Sequence, residues 1–297
     1  MKNMLAVCFL ILFLPYTVTL LVSGREGIHR DKGLSELEYQ TLSALLEEDF
    51  SWMDDETLAL MAVLFRTEYI RTENEQITED SQEEASGDGA GSAQVNTAED
   101  EAAFPQTATA GTVSVNADSD DYERFYQAVA ETEGQVVTID GAYRELPWHV
   151  LSAGKTRDGS LLGEDYFYIK SVECPLDIHA DGYLESFTLS VEEFAEALGR
   201  DVAPEELAFS RDDTDYVLSA SVGDMTWQGE ELRTLLHLAS SCFWLDREDR
   251  RIHLTVKGSG HGFGISLYTA DCMVRDGIPY GEILQIFYEG AECITVP

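Results

Sequence analysis

The stretch from Thr72 to Asp121 limits what this chain can fold into. It is rich in Glu, Asp, Ser, Thr, Ala, Gly and Gln, its one aromatic residue is Phe104, and the nearest basic residue is Arg71 at its edge. Such a segment buries too little apolar surface to offset the entropy of ordering its backbone, and its like charges repel. Residues 72–121 therefore read as an acidic disordered insertion, and the core must come from residues 25–71 and 122–297. With 44% hydrophobic residues overall, the chain has material for one.

Charge bounds the partners. Lys plus Arg number 19 and Asp plus Glu 56, a formal charge of −37. Phosphate backbones and anionic headgroups would be repelled, so nucleic acid is excluded as a partner. Met4 to Val22 is an uncharged apolar run long enough for the ~30 Å hydrocarbon layer. Lys2 precedes it and Arg25, Arg30 and Lys32 follow, so flanking charge does not orient it. Its length favours an uncleaved anchor over residues 1–24, although Val22-Ser23-Gly24 would also serve as a signal cleavage site. The expectation is a single-pass protein of the cell membrane with its domain on the extracytoplasmic side. Cys8 lies in the apolar run. Cys174, Cys242, Cys272 and Cys293 form no CxxC pair; two disulfides are open, and buried thiols are the plainer reading.

Periodicity gives an α+β domain of mixed strands and helices. Leu34, Leu37, Leu42, Leu45 and Leu46 recur at roughly helical spacing. Ser51 reads as the N-cap of a second helix with Leu58, Met61, Ala62, Phe65 and Tyr69 on one face. A short helix is expected over Tyr122–Thr132. Gln135–Ile139 followed by Asp140-Gly141 reads as strand and hairpin turn. Strands are expected at Phe187–Leu189, Val217–Val222 and Ile252–Val256. Helices are expected at Val191–Leu198, Glu230–Leu238, Leu267–Arg275 and Tyr280–Tyr288, three of them closed by Gly199, Gly277 and Gly290.

Three local signals could carry chemistry. Gly258-Ser-Gly-His-Gly-Phe-Gly-Ile-Ser266 lies between a strand and a helix, with His261 as its one titratable side chain. It lacks the Lys-Ser/Thr ending of a P-loop and the spacing of a dinucleotide fingerprint. Ser152-Ala-Gly-Lys-Thr156 follows His149 as a small polar turn. Glu47-Glu48 ends an apolar run, where a carboxyl can have a raised pKa and act as an acid. Taken singly, each has a plain structural reading: a packed turn, a solvated turn, a solvated helix end.

Taken in this order, with Glu56 to Thr67 after Glu48, Trp148-His149 before Ser152, and Gly277 to Gly290 as a tail, they resemble the stage II sporulation protein D family. The resemblance covers Leu34 to Arg71 and Tyr122 to the C-terminus. It implies a membrane-anchored lytic transglycosylase that cleaves peptide-stripped peptidoglycan strands to 1,6-anhydro-muramic acid ends during engulfment in sporulation. The implied partners are glycan strands, the membrane through the N-terminal helix, a cell-wall amidase and other engulfment proteins. The alternative is a non-catalytic glycan-binding or amidase-stimulating protein. The family's catalytic glutamate falls on Glu48, eight positions before Glu56. Arg66, Thr67, His149, Ser152, Lys155, Thr156, His261, Ser266 and Tyr268 match motif positions and are expected to position substrate. Lys155 or Arg66 would meet the lactyl carboxylate. No cofactor is implied for that step. Some relatives hold zinc with Cys and His, but His149 has no Cys nearby in sequence, so no metal ligand is assigned. Asp49-Phe50 stands where the family has Met-Pro, Ser259 where it has Trp, and Leu267 where it has Gln.

Overall fold

A computed structural model describes residues 33–85 and 119–297. The expected anchor at 1–24 and the greater part of the acidic segment lie outside these residues. None of the helices among the described residues is long and apolar enough to cross a membrane.

The first layer is helical. Helix α1 spans Glu36–Glu47, and Ser35 caps it by accepting from the Glu38 N–H at 3.2 Å. Helix α2 spans Asp55–Ala85. It begins later than Ser51 suggests: Ser51 lies in a turn, and the Asp54 carboxylate accepts from the Glu56 N–H at 3.1 Å in its place. Its N-terminal half packs Leu58, Leu60, Met61, Ala62, Val63 and Leu64 into the core. Helix α2 also runs on through the change of composition at Thr72, so the boundary read there from residue content falls within a helix. Arg71 bridges Glu68 at 2.6 Å and Glu75 at 2.7 Å across that point, the spacing at which ion pairs support an exposed helix. Helix α3 spans Ser119–Glu131.

Strand β1, Gln135–Ile139, does not close the expected hairpin. Asp140 and Gly141 do turn the chain, with φ of 52° and 78°. Beyond one bridge from Ile139 to Ala142 the chain then leaves without pairing. The partner is instead the C-terminal strand β10, Ala291–Thr295, antiparallel with Gln135 opposite Thr295 and Ile139 opposite Ala291. Pro147 among the residues after the turn suits an irregular segment, since proline gives no ladder N–H.

The middle of the chain forms a second core. Strands β3 (Leu184–Ser190), β7 (Phe243–Glu248) and β8 (Arg251–Lys257) make one antiparallel sheet in the order β3-β8-β7. Strands β4 (Ala208–Arg211), β5 (Val217–Val222) and β6 (Met225–Gln228) make another. Helices α4 (Val191–Ala197) and α5 (Gly229–Leu235) are each entered through a capping box, Ser190 with Glu193 and Gln228 with Glu231. Phe194, Trp227, Phe243, Ile252, Leu254 and Val256 fill this core. The chain then returns to the first core through α6 (Leu267–Arg275) and α7 (Tyr280–Phe287), where the sequence pattern puts them. The domain is α+β. The glycine-rich residues 258–266 connect β8 of the second core to α6 of the first. Cys174, Cys242, Cys272 and Cys293 are free thiols, the first two buried.

Arg66 ties the first layer together. Its guanidinium has no exposed surface and is forked onto Glu38, with Nε 2.9 and 3.0 Å from the two carboxylate oxygens. Nη1 donates to the Gln135 carbonyl at 2.9 Å. The second Glu38 contact, from the Gly134 N–H at 2.9 Å, draws the start of β1 onto α1. Removing one member of such a pair strands a buried charge, whereas replacing both with apolar groups costs far less. Arg66→Ala is expected to destabilise the domain by about 3–5 kcal/mol. The Arg66→Met, Glu38→Leu double variant should recover most of that in denaturant melts.

Candidate functional site

The glycine loop is shaped by close approach. Gly260 and Gly264 have φ of 111° and 69°. A Cβ at Gly260 would stand 2.5 Å from the His149 Cβ, and one at Gly264 would stand 1.8 Å from the Pro147 carbonyl oxygen. Only glycine lets the loop lie this near residues 147–149. That approach forms the parallel pairing of β2 (Trp148–His149) with β9 (Ile265–Ser266). It also brings the His149 and His261 rings to 5.8 Å.

Both histidines are buried, and both bond to the backbone of Phe263. His149 Nδ1 lies 3.0 Å from the Phe263 carbonyl, so Nδ1 carries the proton and Nε2 keeps a lone pair, buried and unpartnered. His261 Nδ1 accepts from the Phe263 N–H at 3.1 Å, so its proton is on Nε2. Burial pushes His149 down to about 4, with the Asp177 carboxylate opposing, and pushes His261 well below the usual range, aided by its neighbour. Both are neutral at neutral pH. A histidine that titrates lower in the fold than unfolded leaves stability intact above the unfolded pKa, ~6.5, and takes it away as pH falls toward the folded one. Unfolding free energy should therefore drop between about pH 6.5 and 4. His149→Gln, whose amide can still donate to Phe263, should flatten that slope in melts across this range.

The two sequence motifs meet on a residue that neither contains. Asp177, in a short 3-10 turn, has no exposed surface. Its Oδ2 accepts from the Ser152 N–H at 2.8 Å, the Ser152 hydroxyl at 2.6 Å and the Ser266 hydroxyl at 2.7 Å. Its Oδ1 accepts from the Thr269 hydroxyl at 2.6 Å. Cys174 lies beside this knot, its thiol pushed up to about 12 by burial and then by the Asp177 charge. Asp177 and Thr269 carry no local mark in the sequence. The hint was indirect: motif hydroxyls that pack inward need a buried acceptor. Asp177→Ala would leave three hydroxyls unsatisfied and should cost about 3–5 kcal/mol. Asp177→Asn, which keeps one oxygen acceptor, should cost less by the same denaturant measurement.

Glu48 stands at the C-terminal end of α1, half-buried. Burial first, and the Glu47 carboxylate second, raise its pKa above the ordinary glutamate value. The turn that follows is pinned from two helices, α3 and α6. Arg124 donates to the Ser51 carbonyl at 3.1 Å and the Met53 carbonyl at 2.5 Å. Arg275 donates to the Trp52 carbonyl at 3.1 Å. The buried Asp271 carboxylate accepts from the Asp54 N–H at 2.7 Å and the Thr57 hydroxyl at 2.8 Å. Phe50 is buried, its ring 5.7 Å from Trp148 and 6.3 Å from Phe65. Trp148 thereby joins the turn of Glu48 to the histidine pair.

The motif residues thus have different fates. His149, His261, Ser152 and Ser266 converge as buried framework. Arg66 is committed to Glu38 in the core and cannot reach a ligand. The Thr67 hydroxyl donates to the Val63 carbonyl at 2.7 Å and accepts from the Val137 N–H at 2.8 Å. Thr156 bonds the Lys170 carbonyl at 3.1 Å and the Val172 N–H at 2.8 Å. Lys155 is at the surface, 3.3 Å from Glu173. Tyr268 is partly exposed on α6, with its phenol raised first by desolvation. Among the described residues no three His, Cys, Asp or Glu side chains converge in a manner that would hold a metal, and His149 Nε2 meets no thiol.

No protein-family model matches the chain. It is similar to two curated proteins, each named stage II sporulation protein D. The one from Bacillus amyloliquefaciens is 30% identical over 174 residues, 57% of this chain and 51% of the relative. The one from Bacillus subtilis (strain 168) is 27% identical over the same lengths. The chain spans about half the length of the curated relatives it matches.

Proposed function

The chain belongs to the stage II sporulation protein D family, and from that premise we propose that it is a sporulation cell-wall protein, a lytic transglycosylase acting on peptide-stripped glycan strands. In this reading the first 24 residues anchor it to the membrane, and a cell-wall amidase prepares its substrate. The observation that carries the proposal is Glu48: a carboxyl kept protonated to higher pH by burial and by Glu47, on a turn held still by Arg124, Arg275 and Asp271.

One such acid suffices. Protonated Glu48 gives its proton to the glycosidic oxygen, the bond from that oxygen to muramic acid C1 breaks, and the N-acetylglucosamine leaves as an alcohol. The oxocarbenium-like C1 is then closed by the sugar's own C6 oxygen, whose proton returns to the Glu48 carboxylate. No water is consumed, so the second carboxylate of ordinary glycosidases has no task here. The buried histidines and serines hold the shape of the cleft and move no proton.

A second reading, a glycan-binding or amidase-stimulating protein without turnover, draws support from those same side chains. His149, His261, Ser152 and Ser266 are spent on bonds within the fold, and Ser259 stands where the family has a tryptophan. Product analysis separates the two. Glu48→Gln should keep glycan binding and lose release of 1,6-anhydro ends, since an amide cannot donate the proton. Glu47→Gln removes the like charge that raises Glu48, so the basic limb of the kcat/KM profile should move to lower pH. Turnover by Glu48→Gln with Glu47→Gln inactive would shift the catalytic role by one residue.

A further inference from the structure

A groove beside Trp148 is lined by Phe65, Glu68, Arg144 and Leu146 among others. Phe65 and Trp148 both touch the Phe50 ring, two residues after Glu48, so the groove shares an aromatic wall with the turn of that acid. Arg144 presents an Nε that is buried and has no hydrogen-bond partner. A buried N–H without an acceptor is costly, and it marks a guanidinium beside the groove with no carboxylate paired to that edge.

That orphan is unexpected in a chain with 56 acidic residues. The nearby carboxylates are engaged elsewhere. Glu68 is held by Arg71 at 2.6 and 2.8 Å, and Glu145 accepts from the Tyr166 hydroxyl at 3.3 Å. The pairing of Glu68 with Arg71 also reduces its repulsion of an incoming anion. Of the two cations expected from sequence to meet the substrate, Arg66 is buried against Glu38, and Lys155 stands at the surface in an exposed pair with Glu173. A guanidinium fork matches a carboxylate in shape and charge.

We propose that Arg144 reads the substrate's carboxylate: a sugar ring lies across the mouth of the groove over the partly exposed Phe65, and its ether-linked lactyl carboxylate meets the Arg144 guanidinium. The inference rests on the wall-glycan reading above and adds the residue that distinguishes muramic acid from its neutral counterpart. Bulky substituents on that carboxylate, such as an amide-linked peptide, remove its charge and crowd the groove, which gives the preference for stripped strands a physical source.

The test is equilibrium binding by the Glu48→Gln chain, which cannot turn its ligand over. The probes are peptide-free strands of alternating N-acetylglucosamine and N-acetylmuramic acid, and chitin oligosaccharides of equal length, which lack the lactyl group. The muramic strands should bind about tenfold or more tighter, the range of one charge-assisted contact. Adding Arg144→Gln should abolish that margin and leave chitin affinity unchanged. Arg144→Lys, which keeps the charge and loses the fork, should retain part of it and carries the test should the glutamine variant not fold. An undiminished margin in Arg144→Gln, or equal binding of the two glycans before Arg144 is changed, overturns the proposal while leaving the wall-glycan reading standing. Binding of neither glycan overturns both.

Discussion

Asp177 accepts four hydrogen bonds with no exposed surface of its own, and two segments far apart in the chain end on it: the turn at Ser152, and the run from the strand end at Ser266 into the first turn of α6 at Thr269. A buried carboxylate is costly unless its lone pairs are filled, and here backbone and hydroxyl donors fill them without a neighbouring cation in contact. The glycine loop can lie against residues 147–149 because both ends of that contact are fastened to the same two oxygens. From this follow the β2–β9 pairing, the placing of His149 beside His261, and the position of Trp148.

Trp148 carries the constraint across to the acid. Its ring packs on Phe50, and the turn containing Phe50 is fixed to α3 by Arg124 and to α6 by Arg275 and Asp271. Helix α6 therefore serves both sides: Thr269 faces the Asp177 knot and Asp271 holds the turn after Glu48. In a chain of charge −37, long-range attraction cannot bring an anionic polymer to this place. Charges beyond a Debye length of ~8 Å are screened at physiological salt. Recognition has to come from short contacts, which makes the few cations near the groove decisive.

Much of the fold is legible in the sequence where local rules and tertiary packing agree. Leu267–Arg275 and the strand containing Ile252–Val256 fall where periodicity puts them. The misses have physical causes. The hairpin at Asp140-Gly141 has the right turn residues, but register is decided by which strand is available, and β10 arrives from the far end of the chain. Ser51 loses the capping role to Asp54 because Asp271 fixes the Asp54 backbone. Composition changes at Thr72, yet α2 continues, since Arg71 can pair with carboxylates on both sides of that point. In the site, Arg66, expected to contact substrate, is buried against Glu38 from another helix. Pairings of that kind appear only once the chain is folded. Asp177 shows the converse, a residue with no motif around it whose neighbours in space make it central.

As proposed above, one carboxylic acid, Glu48, cleaves strands from which peptides have been removed. Digestion of purified sacculi before and after amidase treatment, with 1,6-anhydro ends followed by mass spectrometry, tests it most directly. Rapid appearance of anhydro ends from the stripped strands and slow appearance from the intact wall is the predicted result. Products ending in reducing muramic acid, or no new ends from stripped strands, would contradict it.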